Sequence, residues 1–525
     1  MSSHSSSLPS HSVDVLIRRR PFDLTGIRVL LVNPRTFPYD LRGEMHAPDT
    51  YKSERAMNFG LLVMASITSR AGADVAIFDQ DAEVDSTNYD SLIDLIDRHS
   101  PHIVGVGIIS VYQYVGACEV LRLSKDRGVV TAVGGQASGG FATRFLAAES
   151  PCDYLFRGDA EETFPQFLFD LMRNRPVTRM AGVAARGEAV PATSVVESLE
   201  ASSDLQYELY PNWRSHFPLV EESRACPFKC SFCANESIAN ASYRGKEPGK
   251  LLQEVERAIR LWGGSQGAPV VLQCAIFGTH AAWTEEFLHQ TQKSRLEPRF
   301  LAALRVDNHW ERYVHLTRGI FDQVHFGFES GSVEILARMI KTGKPEHYLD
   351  RSAAAFKAFH SQGVHVGINV IFGFFGETYR SVGDTLRFIL ENRDYIDSVW
   401  GGPFVLYPDT PARKDLPHAA EKFGSRIVKT SSYCDHLDTY PVHASSAFAH
   451  EDAVSVGGLV MRLLNDEQTY YDHYKWYIGP RRDAPLSFYA KEDFYRVMFQ
   501  GADTRQTTVN MSINEKTGDV FTRRD

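Results

Sequence analysis

Short, almost uninterrupted apolar runs alternate with helical stretches along most of this chain, and that alternation restricts its fold more than any other feature. Residues 27–33 (IRVLLVN) read as a strand closed by Pro34, and 59–71 as a helix. Further strands are expected at 75–79 (VAIFD), 103–110 (IVGVGIIS), 129–135 (VVTAVGG) and 153–158 (DYLFRG), with helices at 114–126 and 161–173. Strands without polar alternation are buried on both faces, which a parallel sheet achieves by carrying helices on each side. Residues 27–195 are therefore expected to form a doubly wound α/β domain. Ligands of such sheets bind beyond the carboxyl ends of the strands, where this sequence has Asn33, Pro34, Ser110, Gly134, Gly135, Gln136 and Gly158. After a linker at 196–215 the alternation resumes. Strands are expected at 218–222, 269–276, 301–306, 323–328, 365–372 and 399–406, and helices at 248–262, 283–294, 331–340, 346–362 and 380–393. Six such units over 216–420 suit a partial (β/α)6 barrel, with its chemistry at the carboxyl ends of the strands. Residues 1–26 read as a disordered tail without the apolar core of a secretory signal. Residues 421–525 read as a mainly helical cap.

With 43% apolar and 23% charged residues, a disordered or fibrous chain is excluded. The charge sum, 56 − 65 = −9, argues against a nucleic-acid binder relying on a broad basic surface. There is no apolar run of about 18 residues, so no membrane span is expected. Seven cysteines in 525 residues are too few for a disulfide scaffold and point to a reducing, cytoplasmic setting.

Three of those cysteines, Cys226, Cys230 and Cys233, fall within ESRACPFKCSFCANES with the spacing C-x3-C-x2-C. They lie on a loop just after the first strand of the second α/β run. Structural zinc wants four ligands, normally in two pairs, and no second C-x2-C or H-x3-H pair follows. Four-iron clusters are held by cysteine thiolates, usually four. Three would leave one iron with an open position, which suits catalysis. Three unrelated buried cysteines, or zinc with a distant fourth ligand, are the competing readings.

This motif, with Phe232 before its last cysteine and a βα run behind it, resembles the radical S-adenosylmethionine (SAM) enzymes. The resemblance implies that Cys226, Cys230 and Cys233 hold a [4Fe–4S] cluster whose open iron is chelated by SAM, with Phe232 near the adenine. FGFESGSVEILARMIKTG (326–343) looks like the fourth-strand segment of the cobalamin-associated branch and implies SAM contacts for Glu329 and Ser330. An ordinary helix-start acid is the plain alternative for Glu329. INVIFGFFGET (368–378) resembles the fifth-strand segment, with Gly373 at a close backbone approach and Phe375 where proline is usual. LRVD (304–307) resembles the third-strand segment and implies that Arg305 meets the SAM carboxylate; a barrel salt bridge is the alternative. QCAIFGTH (273–280) stands in the place of a glycine-rich stretch, giving Gly278 and Thr279 as weaker SAM contacts.

The N-terminal half is similar to the Rossmann-like cobalamin-binding domain of that branch. The matching pieces are VNP after the first strand, AVGGQASG (132–139) and DYLFRGDAEETF (153–164), the last with Asp159 where glutamate is usual and with Glu161 among the implied cobalamin contacts. No D-x-H-x-x-G segment occurs in 27–200, so the resemblance implies that cobalt lacks a histidine ligand. The implied activity is that of a cobalamin-dependent radical SAM methyltransferase acting on an unactivated carbon of a small-molecule or natural-product intermediate. It would use an external one-electron donor such as flavodoxin or ferredoxin. Tyr407 is a candidate catalytic residue at the barrel mouth, and Tyr470, Tyr471, Tyr474, Trp476 and Tyr477 could line a pocket. Three rivals stand beside this reading. They are ring contraction or cyclisation without methyl transfer, a methylthiotransferase, and a non-enzymatic corrinoid or iron–sulfur carrier. The methylthiotransferase needs a second three-cysteine set, but only Cys118 and Cys152 lie N-terminally.

Overall fold

A computed structural model of the chain describes residues 22–37, 57–82, 88–177, 180–234, 242–264, 267–294, 296–428, 432–465, 510–513 and 520–523. The first sheet contains β1 (Arg28–Asn33), β2 (Asp74–Asp79), β3 (Ile103–Gly107), β4 (Val130–Gly134), β5 (Tyr154–Phe156) and β6 (Val183–Ala185) in the order β2-β1-β3-β4-β5-β6. The first five run parallel and β6 is antiparallel to β5. Leu30, Val32, Val104 and Val106 face one apolar layer, and Val29, Leu31 and Ile103 face the other. Two covered faces are what the unbroken apolar runs required. The strand order reverses between β1 and β3, which makes the carboxyl edge there the switch-point crevice of a doubly wound sheet. The helix Asp90–His99 was not foreseen, because only Leu92 and Ile96 mark its buried face among charged residues.

The second sheet begins at β7 (Leu219–Glu221). The short β8 (Ser223–Arg224) and β9 (Arg244–Gly245) then pair with each other, and β10 (Val270–Gln273), β11 (Phe300–Leu304), β12 (Phe321–Glu329), β13 (His365–Phe372) and β14 (Ser398–Pro403) follow. The order β14-β13-β12-β11-β10-β7 is parallel throughout and leaves β7 and β14 unpaired with each other, so this is an open six-stranded barrel. Its core joins Val324, Phe326, Ile368 and Val399 to Val255, Phe287 and Phe356 of the surrounding helices.

The connecting segment is packed rather than extended. Tyr207 donates to the Leu219 carbonyl (2.7 Å), and Tyr210 donates to Asp79 Oδ2 (2.5 Å) at the end of β2. The C-terminal part is less helical than expected. Beside helices Pro411–Phe423, Ser432–Leu437 and His450–Leu464 it has an antiparallel sheet of β15 (Val405–Leu406), β16 (Arg426–Ile427) and β17 (Tyr440–His443), and a hairpin of β18 (Asn510–Ile513) and β19 (Val520–Arg523). Two-residue strands carry no periodicity for sequence reasoning to find. Tyr470, Tyr471, Tyr474, Trp476 and Tyr477 and most of the 1–26 tail lie outside the described residues. Among the described residues no helix is long and apolar enough to cross a membrane.

Candidate functional site

The cysteine loop leaves β8 through Ala225, whose φ of 70° puts a non-glycine residue in the left-handed region. A turn closes inside it, with Cys233 N–H donating to the Cys230 carbonyl (3.1 Å). Ser231 ties the loop down on both sides. Its N–H donates to the Met339 carbonyl (2.8 Å), and its own carbonyl accepts Ala412 N–H (2.9 Å). Phe232 packs on the apolar cluster containing Met339, Phe374, Phe404 and Ala412. None of the three cysteines is in a disulfide, and Cys230 is buried. Burial pushes the Cys226 thiol up, against the pull of Arg305. Among the described residues no three His, Cys, Asp or Glu side chains are already gathered around one metal position. The donor set, three thiols on one anchored loop beside buried cations, suits iron–sulfur ligation, and the side chains would converge only with the cluster.

Arg305 is 2% exposed and every edge of its guanidinium is engaged. Nε and Nη2 donate to the two Asp307 oxygens (2.8 and 2.7 Å), Nη2 also donates to the Lys341 carbonyl, and Nη1 donates to Cys230 Sγ (3.1 Å). Its guanidinium carbon lies 3.7 Å from the Phe228 ring centroid. Hence the fork expected for the SAM carboxylate faces Asp307 and the cysteine loop.

Glu329 follows a register shift at the end of β12 and has φ 71°. A bulge there re-aims the side chain. Its carboxylate meets Lys341 Nζ at 2.9 Å. Gly327 makes room for the pair, because a Cβ there would come within 2.8 Å of Glu329 Oε1 and 3.0 Å of Lys341 Nζ. Ser330 is buried against Thr385 (3.1 Å), so its hydroxyl holds the strand-to-helix turn. Gly278 (φ 81°) lies where a Cβ would stand 2.1 Å from Tyr313 Oη, and Thr279 bonds the Ile276 carbonyl (3.0 Å). Gly373 has φ 85° and donates its N–H to Glu377. Glu377 stands in the same GET segment. It is fully buried, and desolvation pushes its carboxyl up to about 8.

At the carboxyl edge of the first sheet, Asn33 is a structural hub. It donates to Asp79 (2.8 Å) and accepts from Asn58 and Gln113 (both 3.0 Å), while the Pro34 carbonyl accepts from Gln113 (2.9 Å). Ser110 caps the short helix Val111–Gln113. Gly134 and exposed Gln136 flank Gly135, which has φ 96° and where a Cβ would stand 2.4 Å from the Ile108 carbonyl oxygen, so a side chain is excluded. Between these turns Ile109 is 47% exposed at the switch point, an aliphatic surface that a macrocycle would cover.

Gly158 packs its backbone against Ser194, and the acids after it turn away from this edge. Asp159 Oδ1 meets Arg224 Nη1 (3.0 Å), Glu161 meets Arg224 Nη2, and Glu221 meets Arg224 Nε (2.6 Å); Asp159 also pairs with Arg244. Burial pushes the Asp159 carboxyl up, but Arg224 and Arg244 outweigh it and hold the group below the ordinary range. Glu161, expected at the cobalamin, thus sits in an ion seam joining the first domain to the root of the cysteine loop. Tyr407 packs on the apolar cluster of the first domain and bonds Tyr112; burial pushes its phenol up. Beside it Pro408 covers Gly140, and Ala412 reaches Ser231. One short C-terminal stretch therefore touches both the first sheet's edge and the cysteine loop.

The profile of the B12 binding domain matches residues 54–168, and that of the radical SAM superfamily matches residues 220–389. The chain is a cobalamin-binding radical SAM enzyme. This enzyme is 25% identical over 342 residues to an uncharacterized methyltransferase of Pyrococcus horikoshii, covering 63% of this chain and 72% of that one. It is 27% identical over 212 residues to the hopanoid C-3 methylase of Methylococcus capsulatus, spanning 38% of this chain but only 39% of that enzyme. Its fold resembles the radical SAM methyltransferase TsrM of Kitasatospora setae, solved with cobalamin and a [4Fe–4S] cluster bound. The TM-score is 0.64 at 14% identity, covering 83% and 92% of the two chains. The two domains imply a [4Fe–4S] cluster, SAM and cobalamin for this radical SAM enzyme.

Proposed function

We propose that this enzyme transfers a methyl group to an unactivated carbon of a small molecule, with Cys226, Cys230 and Cys233 holding the cluster and the β1/β3 switch point holding the corrin. The observation that carries the reading is the stretch Tyr407–Ala412. It packs Tyr407 and Pro408 on the first domain and bonds the cysteine loop through Ala412, so one short stretch ties the first sheet's edge to the cysteine loop. Methyl transfer driven by a radical needs its hydrogen-abstracting and methyl-donating groups on the same substrate. The methylase and methyltransferase relatives support the same choice. When bound, the three cofactors supply a 5′-deoxyadenosyl radical and a methyl group; the protein orients them and excludes water. Lys341 and Glu329 give the barrel mouth a fixed charge pair, and the loop anchors at Ser231 hold the thiols near it. Electrons would come from an external one-electron carrier.

The test starts from the full chain produced anaerobically with cobalamin. About one corrinoid and four irons per chain are expected. Incubation with SAM, reductant and candidate acceptors should release S-adenosylhomocysteine together with 5′-deoxyadenosine. Release of 5′-deoxyadenosine alone from every converted substrate would refute methyl transfer and assign a rearrangement or cyclisation. Iron without corrinoid would remove its main support.

A further inference from the structure

The Arg305–Cys230 contact ties a buried cation directly to the cysteine loop. A bidentate carboxylate takes two of a guanidinium's five N–H donors, and Asp307 supplies one at 2.8 and 2.7 Å. Yet Nη1 points away from that pair and donates to a thiol sulfur at 3.1 Å. The arrangement is rigid. Asp307 and the Lys341 carbonyl hold one edge, and the Phe228 ring lies 3.7 Å from the guanidinium carbon. Of the three cysteines of the loop, Cys230 is the buried one, and it is the one so contacted.

We infer that Arg305 is a positioning residue that raises the reduction potential of the cluster through the Cys230 sulfur, rather than a receptor for the SAM carboxylate. This rests on the reading that the three cysteines hold the cluster. One electron from the external carrier adds one negative charge to the cluster, and no bond is made or broken. Hydrogen bonds to cluster sulfurs and nearby fixed charge set where that reduction occurs. A cation donating to a ligand sulfur in a water-poor site stabilises the reduced state more than the oxidised one, so the electron enters more readily. Asp307 opposes this with its negative charge, but from the far edge of the fork. The two residues should therefore act in opposite directions on the potential, a signature that a purely structural pair would not give.

The experiment is an equilibrium redox titration of the anaerobically reconstituted full chain without SAM, followed by the electron paramagnetic resonance signal of the reduced cluster. Iron and sulfide are measured on each sample. For Arg305→Met, poised at the wild-type midpoint, the reduced-to-oxidised ratio should fall at least tenfold, a downward shift of about 59 mV for a one-electron couple. Asp307→Asn should shift the midpoint upward. An unchanged midpoint in Arg305→Met with full iron content would overturn the inference, as would lost SAM affinity with no change in midpoint, which returns Arg305 to the SAM carboxylate. If Arg305→Met does not retain iron, Asp307→Asn decides, and a midpoint that stays or falls refutes the proposal. A wild-type chain that binds no iron fails the cluster reading itself, and that outcome is distinct from a cluster with an unmoved potential.

Discussion

Replacing Arg224 with methionine should be the most damaging single change outside the cysteine loop. The guanidinium makes four hydrogen bonds to three carboxylates: Nη1 to Asp159, Nη2 to Glu161, and Nε and Nη2 to Glu221. Methionine fills much of the same volume and removes the charge. Asp159 retains Arg244, but Glu161 and Glu221 are left buried without their cation. Breaking a buried ion pair from one side costs about 3–5 kcal/mol, because the remaining charge has lost its water and its partner. At about 2–4 °C per kcal/mol for a domain of this size, melting should fall by roughly 6–20 °C. The pH dependence fixes the cause. In the wild type the Asp159 carboxyl is held low, so its stabilisation is present above the ordinary carboxylate pKa and fades as pH falls through the folded value. The variant leaves Asp159 with one of its two arginines, so less of this pH-dependent stabilisation remains. Arg224→Met should therefore lose more stability at pH 6 than at pH 3, measured by thermal or urea unfolding of the full chain. A double-mutant cycle with Glu161→Gln should return a coupling of about 1–3 kcal/mol. A loss below about 1 kcal/mol that is equal at both pH values would refute the seam as a buried electrostatic joint.

The other outcomes are more local. Cys230→Ala should abolish both the cluster absorbance and SAM cleavage, and retention of either would remove this cysteine from the ligand set. Gly135→Ala has to place a Cβ 2.4 Å from the Ile108 carbonyl at φ 96°. It should cost at least about 1 kcal/mol and lower corrinoid retention, read as melting temperature and cofactor per chain. Glu377, with its carboxyl near 8, is protonated in the folded state across a range where the unfolded chain is ionised. It therefore lowers stability progressively from about pH 4.5 to 8, and Glu377→Gln should melt higher than wild type at pH 8 but alike at pH 4.5. A constant difference across that range would reassign the group.

The order of strands and helices was legible in the chain because buried parallel strands leave continuous apolar runs. The thiols were legible because three cysteines in eight residues have few other uses. The strand ends carrying Asn33, Arg305 and Glu329 were likewise placed correctly, since each follows an apolar run directly. What these residues touch was not written there. Arg305 and Asp307 are two positions apart, but Cys230 is 75 residues away and meets them only because β11 and the cysteine loop end at the same barrel mouth. Glu161 looked like part of a ligand turn, yet it closes on Arg224 of β8, a strand that lies beyond the connector in the chain. Glu377 carries an ordinary carboxyl in the sequence, and only burial makes it a weak acid. Local patterning determined the elements and the spacing of the three thiols, since both are encoded within a few neighbouring residues. The partners of the charged side chains were decided by tertiary packing, because desolvation and ion pairing depend on residues that the chain brings together from far apart.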